Sequence, residues 1–388
     1  MSIAAMPRPV SQSAQSHALD VCIAKIRSNI RLLADKPTTW ALAIDGNYAA
    51  WNEGFYEIGN WTTSFFTGMA VIAYKQTGDR DFLEETTRLE SCYESKVGEH
   101  SADTMHDIGF LYSLYSIALY KVTGEAKHRE LALKAAEVLA DRFIPEGNYI
   151  RAWGRMDDHS SDYAGLAIID CMMNLPLLYW ASEETGDPRF KDIALRHSDT
   201  TLANFIREDD SVYHSYRFDR SGAPTGGDNY CGRAVESHWA RGATWAIYGF
   251  AMGYRYTGDE RYLDASLRLA RKFISLLDEE IVPIWDFRLD AEAPFIRDSS
   301  AAAIAVCAFQ ELEALNAADA TISSAKAALL ERLCSPDYLD ADPGIKGVMK
   351  QGEVGDGVGK AKTAYTSWGD YYFMEALARE AGMAINWW

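Results

Sequence analysis

One short turn recurs along the chain: Tyr74-Lys75-Gln76-Thr77-Gly78-Asp79, Tyr120-Lys121-Val122-Thr123-Gly124-Glu125, Ser182-Glu183-Glu184-Thr185-Gly186-Asp187-Pro188 and Tyr254-Arg255-Tyr256-Thr257-Gly258-Asp259. Each copy follows an apolar segment and precedes an amphipathic one, such as Tyr262-Leu263-Asp264-Ala265-Ser266-Leu267. Glycine takes the left-handed conformation that ends a helix, and an acid just after it can cap the next one. The repeat predicts four helical hairpins.

Outward from these turns, helical patterns cover residues 17–35, 61–76, 80–95, 107–122, 126–143, 162–184, 188–206, 237–256, 260–278, 298–315, 320–334 and 364–381. These pair into six hairpins. In most pairs the first helix is the more apolar and is rich in small residues, as in Ser299-Ser300-Ala301-Ala302-Ala303-Ile304. The second is amphipathic, as in Glu130-Leu131-Ala132-Leu133-Lys134-Ala135. Inner helices buried all round and outer helices half exposed describe an all-α fold, an (α/α)6 barrel; an open array of hairpins is the alternative. No Pro/Gly/Ser-rich linker divides the chain, so one domain over residues 1–388 is expected, with 1–16 a flexible N-terminal segment.

The two ends of such a barrel differ. The Thr-Gly-Asp turns occupy one end, and long loops at the other lead into the inner helices. Those loops, near 51–61, 100–107, 151–162, 213–241, 285–298 and 350–368, hold most of the unusual residues. Function concentrates on loops that a rigid scaffold positions.

The 388 residues are 48% hydrophobic and 12% aromatic, ample for a core, and the net charge is −18. That charge argues against nucleic acid and anionic membrane surfaces as partners. No apolar run approaches the ~20 residues of a membrane span, and the N-terminus lacks the apolar core of a secretory signal. The cysteines (Cys22, Cys92, Cys171, Cys231, Cys307 and Cys334) are scattered without a C-x-x-C pair, which suits a reducing compartment. A cytoplasmic monomer or homodimer is expected.

Asp170 stands out in Gly165-Leu166-Ala167-Ile168-Ile169-Asp170-Cys171-Met172-Met173-Asn174-Leu175-Pro176. An unpaired ionised carboxylate is costly in such apolar surroundings. Read as one helix over 162–184, the segment puts Asp170 two turns in, with Pro176 breaking a hydrogen bond and displacing Asn174 toward the lumen. Asp107 opens the preceding inner helix, where a helix cap is the plain alternative. Brought together, the two would disfavour each other's ionisation, which keeps a general acid protonated near neutral pH.

Trp51, Trp61, Trp153, Trp239, Trp285 and Trp368 fall on or beside the same loops, as sugar-stacking residues would. Arg233, His238 and Arg241 cluster, with His214 and Arg217 near in sequence, and arginine binds carboxylates through a two-pronged fork. Pairing with the many acids is the plain reading of those cations. Metal-ligand spacing is absent among the eight histidines, as are a phosphate loop and a G-x-S-x-G elbow. The glycine-rich run Gly352–Gly359 fits neither phosphate fingerprint and reads as a mobile loop.

These motifs resemble glycoside hydrolase family 88. The resemblance is carried by Asn60-Trp61, His106-Asp107-Ile108-Gly109-Phe110, the long Asp170 run, Ser237-His238-Trp239-Ala240-Arg241-Gly242, Pro283-Ile284-Trp285-Asp286-Phe287 and Asp298-Ser299-Ser300-Ala301, and extends from about residue 50 to 375. It implies an (α/α)6 barrel, no metal or other cofactor, and oligosaccharides ending in a 4,5-unsaturated uronate as substrate. It implies Asp170 as the acid/base that hydrates the C4=C5 bond and Asp107 as the second aspartate. His214, Trp61, Trp239 and Arg241 become sugar contacts, with Trp368 or Tyr371 closing the subsite. Arg233 and Asn174 complete the expected site. Two departures bear on which sugar is accepted. Arg241-Gly242-Ala243-Thr244-Trp245 stands where the family often has Arg-Gly-Gln-Ala-Trp, and Cys231-Gly232-Arg233 stands where some members use a glutamine. Lys350, Lys360 and Lys362 could meet a sulfate or lie at the surface. Unsaturated rhamnogalacturonyl hydrolases, sugar 2-epimerases, an inverting glycosidase and a non-catalytic sugar-binding protein are the rival readings.

Overall fold

A computed structural model of the chain describes residues 12–35, 42–48, 61–355 and 361–388. Helix α1 spans Gln12–Asp35. It begins inside the 1–16 segment expected to be flexible, because Gln12, Ala14 and Gln15 are good helix formers. The inner helices are α2 (Thr63–Thr77), the broken pair α5 (Ile108–Tyr112) and α6 (Ala118–Thr123), α8 (Leu175–Thr185), α10 (Ala240–Thr257), α12 (Ser299–Ala314) and α14 (Ser367–Glu380). Around them lie α1, α3 (Asp81–Thr87), α4 (Glu90–Val97), α7 (Ala126–Ala140), α9 (Pro188–Asn204), α11 (Glu260–Ser275) and α13 (Ala320–Leu333). Each inner helix packs on the next, and α14 returns to α2. The ring is therefore closed, an (α/α)6 toroid, and the open array is excluded.

Burial follows the pattern read from sequence. Every residue of α12 from Ser299 to Leu312 is buried, and every residue of α10 from Ala240 to Gly253. In the outer α11 only the stripe Tyr262, Ala265, Ser266, Leu269, Ala270 and Phe273 is buried. Gly78, Gly124, Gly186 and Gly258 end α2, α6, α8 and α10 with φ of 74°, 71°, 75° and 68°. A methyl group at any of the four would meet nothing within 4 Å, so conformation and not space requires glycine. The threonine of the turn has a role of its own. Thr257 Oγ1 donates back to the Gly253 carbonyl at 2.6 Å and accepts from the Asp259 N–H at 3.1 Å. Asp259 and Asp187 then cap α11 and α9, whereas Glu125 makes no side-chain cap.

The 162–184 helix is corrected. Leu166–Ile168 is strand β4, Ile169–Met173 a 3-10 turn, and α8 starts only at Leu175. A short apolar run cannot be told as strand or helix by periodicity. Gly165 decides it: its φ of 75° turns the chain, and a Cβ there would come within 2.1 Å of the Phe218 carbonyl oxygen. Pro176 lies in the first turn of α8, where its missing N–H costs nothing. The 80–95 segment is two helices, α3 and α4, and a π turn at Ser113–Ile117 separates α5 from α6.

Short strands decorate the loop end in three small sheets. Strand β4 pairs with β5 (Ser215–Phe218), which pairs with β6 (Pro224–Asp228). The hairpin β2 (Phe143–Ile144) and β3 (Tyr149–Ile150) lies beside α9. Strand β1 (Leu42–Ala43) joins β8 (Ala361–Thr366) and β7 (Gly352–Gly355). The first part of the glycine-rich run is thus a strand; residues 356–360, including Lys360, lie outside the described residues, as do Trp51 and Asn60.

Candidate active site

Asp107 and Asp170 approach because Gly109 permits it. A Cβ on Gly109 would fall 2.3 Å from the Cα of Asn174, so the two turns touch backbone to backbone. Asn174 locks the contact: its Oδ1 accepts from the Phe110 N–H at 2.7 Å, and its Nδ2 donates to the Asp170 carbonyl at 3.2 Å. Asp107 occupies the position before α5 but makes no side-chain capping bond. Its carboxylate lies 3.5 Å from His106 Nε2. No side-chain bond supports the cap reading.

A cavity of about 620 Å³ opens above these turns. Asp107, Asp170, His214, Trp239, Arg241, Trp61 and Trp368 all line it. Asp170 keeps 18% of its side chain open to this space, while its Oδ2 is buried without a hydrogen-bond donor. Burial pushes Asp170 up to about 7, with Arg241 and the Trp245 indole pulling the other way. Burial, and then the charge of Asp170, push Asp107 up to about 8. Two such carboxyls titrate as a pair, and the pair retains a proton at neutral pH.

His214 reaches Asp170 through strand pairing. Ile168 faces Ser215, and the Ile169 N–H donates to the His214 carbonyl at 2.9 Å. The ring's Nδ1 accepts from the backbone N–H groups of Tyr230 at 3.0 Å and Cys231 at 3.2 Å. Its proton therefore sits on Nε2, 3.7 Å from Asp170 Oδ2. Burial and the nearby Arg241 lower the pKa to about 3, so the ring is neutral.

Arg241 lies between two indoles, 4.4 Å from the Trp239 ring and 5.3 Å from Trp368. Its Nη1 donates to Asp298 Oδ2 at 2.8 Å and Glu353 Oε2 at 2.9 Å. Trp61 stacks on Trp368 at 4.6 Å, and of the two Trp61 is the more exposed. A second aromatic cluster lines the same cavity: Trp153 meets Tyr163 and Tyr230 edge to face, and Arg155 is paired with Asp103. Buried Arg142 anchors this cluster. Its guanidinium donates to the carbonyls of Arg151, Thr104, Ala152 and Gly154, tying the Asp107 loop to the Trp153 loop.

Six expected contacts lie elsewhere. Arg233 points to Asp290, at 2.9 Å from Nε, and does not line the cavity. Tyr371 is core: its hydroxyl accepts from Trp387 Nε1 at 3.0 Å. Asn174 is fully buried and does not line the cavity; its side chain holds the Phe110 N–H and the Asp170 carbonyl and also bears on the Asp107 carboxyl. Trp285 is also core, donating to the Pro294 carbonyl. Neither Arg217, paired with Asp228, nor the buried His238 reaches the cavity. Lys350 donates to the Pro336 carbonyl, and Lys362 sits opposite Val354 on β8. Cys231 lines the cavity, while Ala243 is buried in α10. Among the described residues no group of three His, Cys, Asp or Glu side chains is arranged to hold a metal.

Missed in the sequence were Asp103, Arg155, Tyr163 and Tyr230; the loops that carry them were recognised, but which side chains turn inward depends on the small sheets. Arg142 and Glu353 left no signal in spacing, since an arginine after an outer helix and a glutamate among glycines read as surface.

The sequence matches the family model described as Glycosyl Hydrolase Family 88 over residues 31–279. It is 35% identical to the unsaturated glucuronyl hydrolase of Bacillus sp. strain GL1, over 84% of this chain and 88% of that protein. It is 33% identical to the unsaturated chondroitin disaccharide hydrolase of Streptococcus pyogenes serotype M1, over 95% of this chain and 92% of the relative. The crystal structure of the Bacillus sp. GL1 protein, described as responsible for the degradation of glycosaminoglycan, superposes with a TM-score of 0.86 at 33% identity, covering 96% of this chain and 99% of that one.

Proposed function

The chain belongs to glycoside hydrolase family 88, and from that premise we propose that it removes the 4,5-unsaturated uronate from the non-reducing end of glycosaminoglycan-type oligosaccharides left by polysaccharide lyases. One observation carries the reading: Asp170, one of a buried carboxyl pair that retains a proton at neutral pH, has an unpartnered oxygen and lines a sugar-sized cavity walled by tryptophans. A carboxylic acid that holds its proton at neutral pH is a general acid.

The unsaturated ring stacks on Trp61, beside Arg241. Asp170 delivers its proton to C4, and the positive charge that forms at C5 is shared with the ring oxygen. Water adds to C5 and returns a proton to the Asp170 carboxylate, so the acid is regenerated. The hemiketal opens by breaking the bond from C5 to the ring oxygen. That leaves a ketone at C5 and a hemiacetal at C1, which expels the leaving sugar. Asp107 shares the pair's proton and orients the ring, and neutral His214 offers Nε2–H to the water or to Asp170. The wall of Trp153, Tyr163 and Tyr230 receives the leaving sugar. Six free cysteines suit the protein to a reducing compartment.

The test is loss of the C4=C5 absorbance on incubation with unsaturated disaccharides from hyaluronan, chondroitin, heparin and pectic lyases. Bleaching of a glucuronyl disaccharide, absent in Asp170→Asn, supports the reading. Bleaching of the pectic substrate alone would favour a rhamnogalacturonyl hydrolase, and no bleaching would refute both.

A further inference from the structure

Glu353 is a buried carboxyl that the hydration chemistry above does not use. It sits on β7, one residue before Val354 and two before Gly355, which both line the cavity. Its side chain has no exposure. Oε2 accepts from Arg241 Nη1 at 2.9 Å and from Trp239 Nε1 at 3.3 Å, while Oε1 is buried with no donor.

The surroundings make Glu353 a surplus charge. From the cap of α12, Asp298 already serves Arg241, and its bonds are complete: Oδ1 accepts from the Ser300 N–H and hydroxyl and from the Glu353 N–H, and Oδ2 from Arg241. Arg241 and Asp298 together are neutral. The other groups around Glu353 are Trp239 just before α10, Cys231 on the 229–238 loop, Asp170 beyond Arg241, and Thr363 opposite it on β8 with Lys362 adjacent. An ionised Glu353 makes the triad with Arg241 and Asp298 net negative, the same sign as a uronate. Neutral Glu353 removes that repulsion and the cost of an ionised oxygen without a donor.

We propose that Glu353 is the proton-accepting partner of Arg241, and that an anionic sugar binds to the form of the protein in which Glu353 carries a proton. Burial first, with Asp298 adding to it and Arg241 and Trp239 opposing, raises Glu353 to about 7, within reach of this exchange at working pH. The inference rests on the uronate substrate proposed above and adds a residue that sets its binding.

A group that gains a proton on binding weakens binding as pH rises through its pKa. KM should therefore climb roughly tenfold per pH unit above about pH 7 in the wild type. In Glu353→Gln, which copies the protonated form, KM should change by less than about twofold over the same range, while the ionisations seen in kcat persist. An unchanged KM profile in Glu353→Gln overturns the proposal. If that variant does not fold, calorimetry of Asp107→Asn/Asp170→Asn with an unsaturated chondroitin disaccharide, in buffers of different ionisation enthalpy, supplies the answer. Proton uptake at pH 7 is expected, and none overturns the proposal. Failure of the wild type to bleach any unsaturated disaccharide would instead refute the function, a distinguishable outcome.

Discussion

Asp370 and Asp170 both lie in apolar surroundings, and burial pushes both carboxyls up to about 7. What surrounds their oxygens differs. Asp370 Oδ1 accepts from the Met349 N–H at 2.7 Å, and Oδ2 from the Val348 N–H and the Tyr48 hydroxyl, each at 3.0 Å. Asp370 joins α14 to the chain near β7 and to Tyr48, and it does not line the cavity that Asp170 lines. Asp170 has an oxygen without a donor and opens on 620 Å³ of space. Acidity alone therefore does not mark a site; a raised pKa with an unsatisfied atom at a cavity does.

The largest effects should separate the two aspartates by kind. Asp170→Asn is expected to lower kcat at least 10³-fold, roughly the upper range for losing a general acid, measured as bleaching of the C4=C5 band. Asp370→Asn should keep the wild-type pH profile of kcat but place an amide N–H₂ against backbone donors, a loss of about 1–3 kcal/mol seen in urea unfolding. The pH dependence of stability sharpens the contrast. Folding raises the pKa of Asp170, so the folded state holds that proton more tightly. Its stabilisation is complete below about pH 4 and is lost as pH rises through about 7. Asp170→Asn removes this alkaline liability, so its Tm at pH 8 should exceed that of wild type, whereas the Tm of Asp370→Asn should fall.

Next comes the contact that brings the carboxyls together. Gly109→Ala forces a methyl into Asn174 and should cost about 1–3 kcal/mol by overpacking, with kcat falling more than KM rises. Wild-type stability and kinetics in that variant would break the account of how the pair is assembled. Trp61→Ala should raise KM roughly tenfold, the scale of one aromatic stacking contact, with a smaller change in kcat.

The smallest effect belongs to the opposite end of the barrel. Gly78→Ala holds alanine at a φ of 74° and should cost about 1 kcal/mol without altering kcat. Activity loss there would mean that the two ends are coupled.

Sequence carried much of this because the repeat is local. The Thr-Gly-Asp turns name hairpin ends by backbone chemistry alone, and α10 and α12 declare burial by composition. Asp170 was visible as a misfit, and Asp107 as its partner, from chain order around a ring. The strand at Leu166–Ile168 was not visible, since its partner Ser215–Phe218 lies far along the chain and its run of apolar residues suits either structure. The misplacements of Arg233 and Tyr371 have the same origin: a cation near the right loop can turn outward to Asp290, and a tyrosine one turn into α14 can face the core. Glu353 needed the three-dimensional neighbourhood of Arg241 before it meant anything.

The central claim is that Asp170 places a proton on C4. Turnover of an unsaturated chondroitin disaccharide in deuterated water, followed by NMR of the first product formed, tests it directly. The account predicts deuterium at C4 on one face only, and none formed by Asp170→Asn. Sugar release with no deuterium at C4, or with deuterium on both faces from the outset, would contradict it.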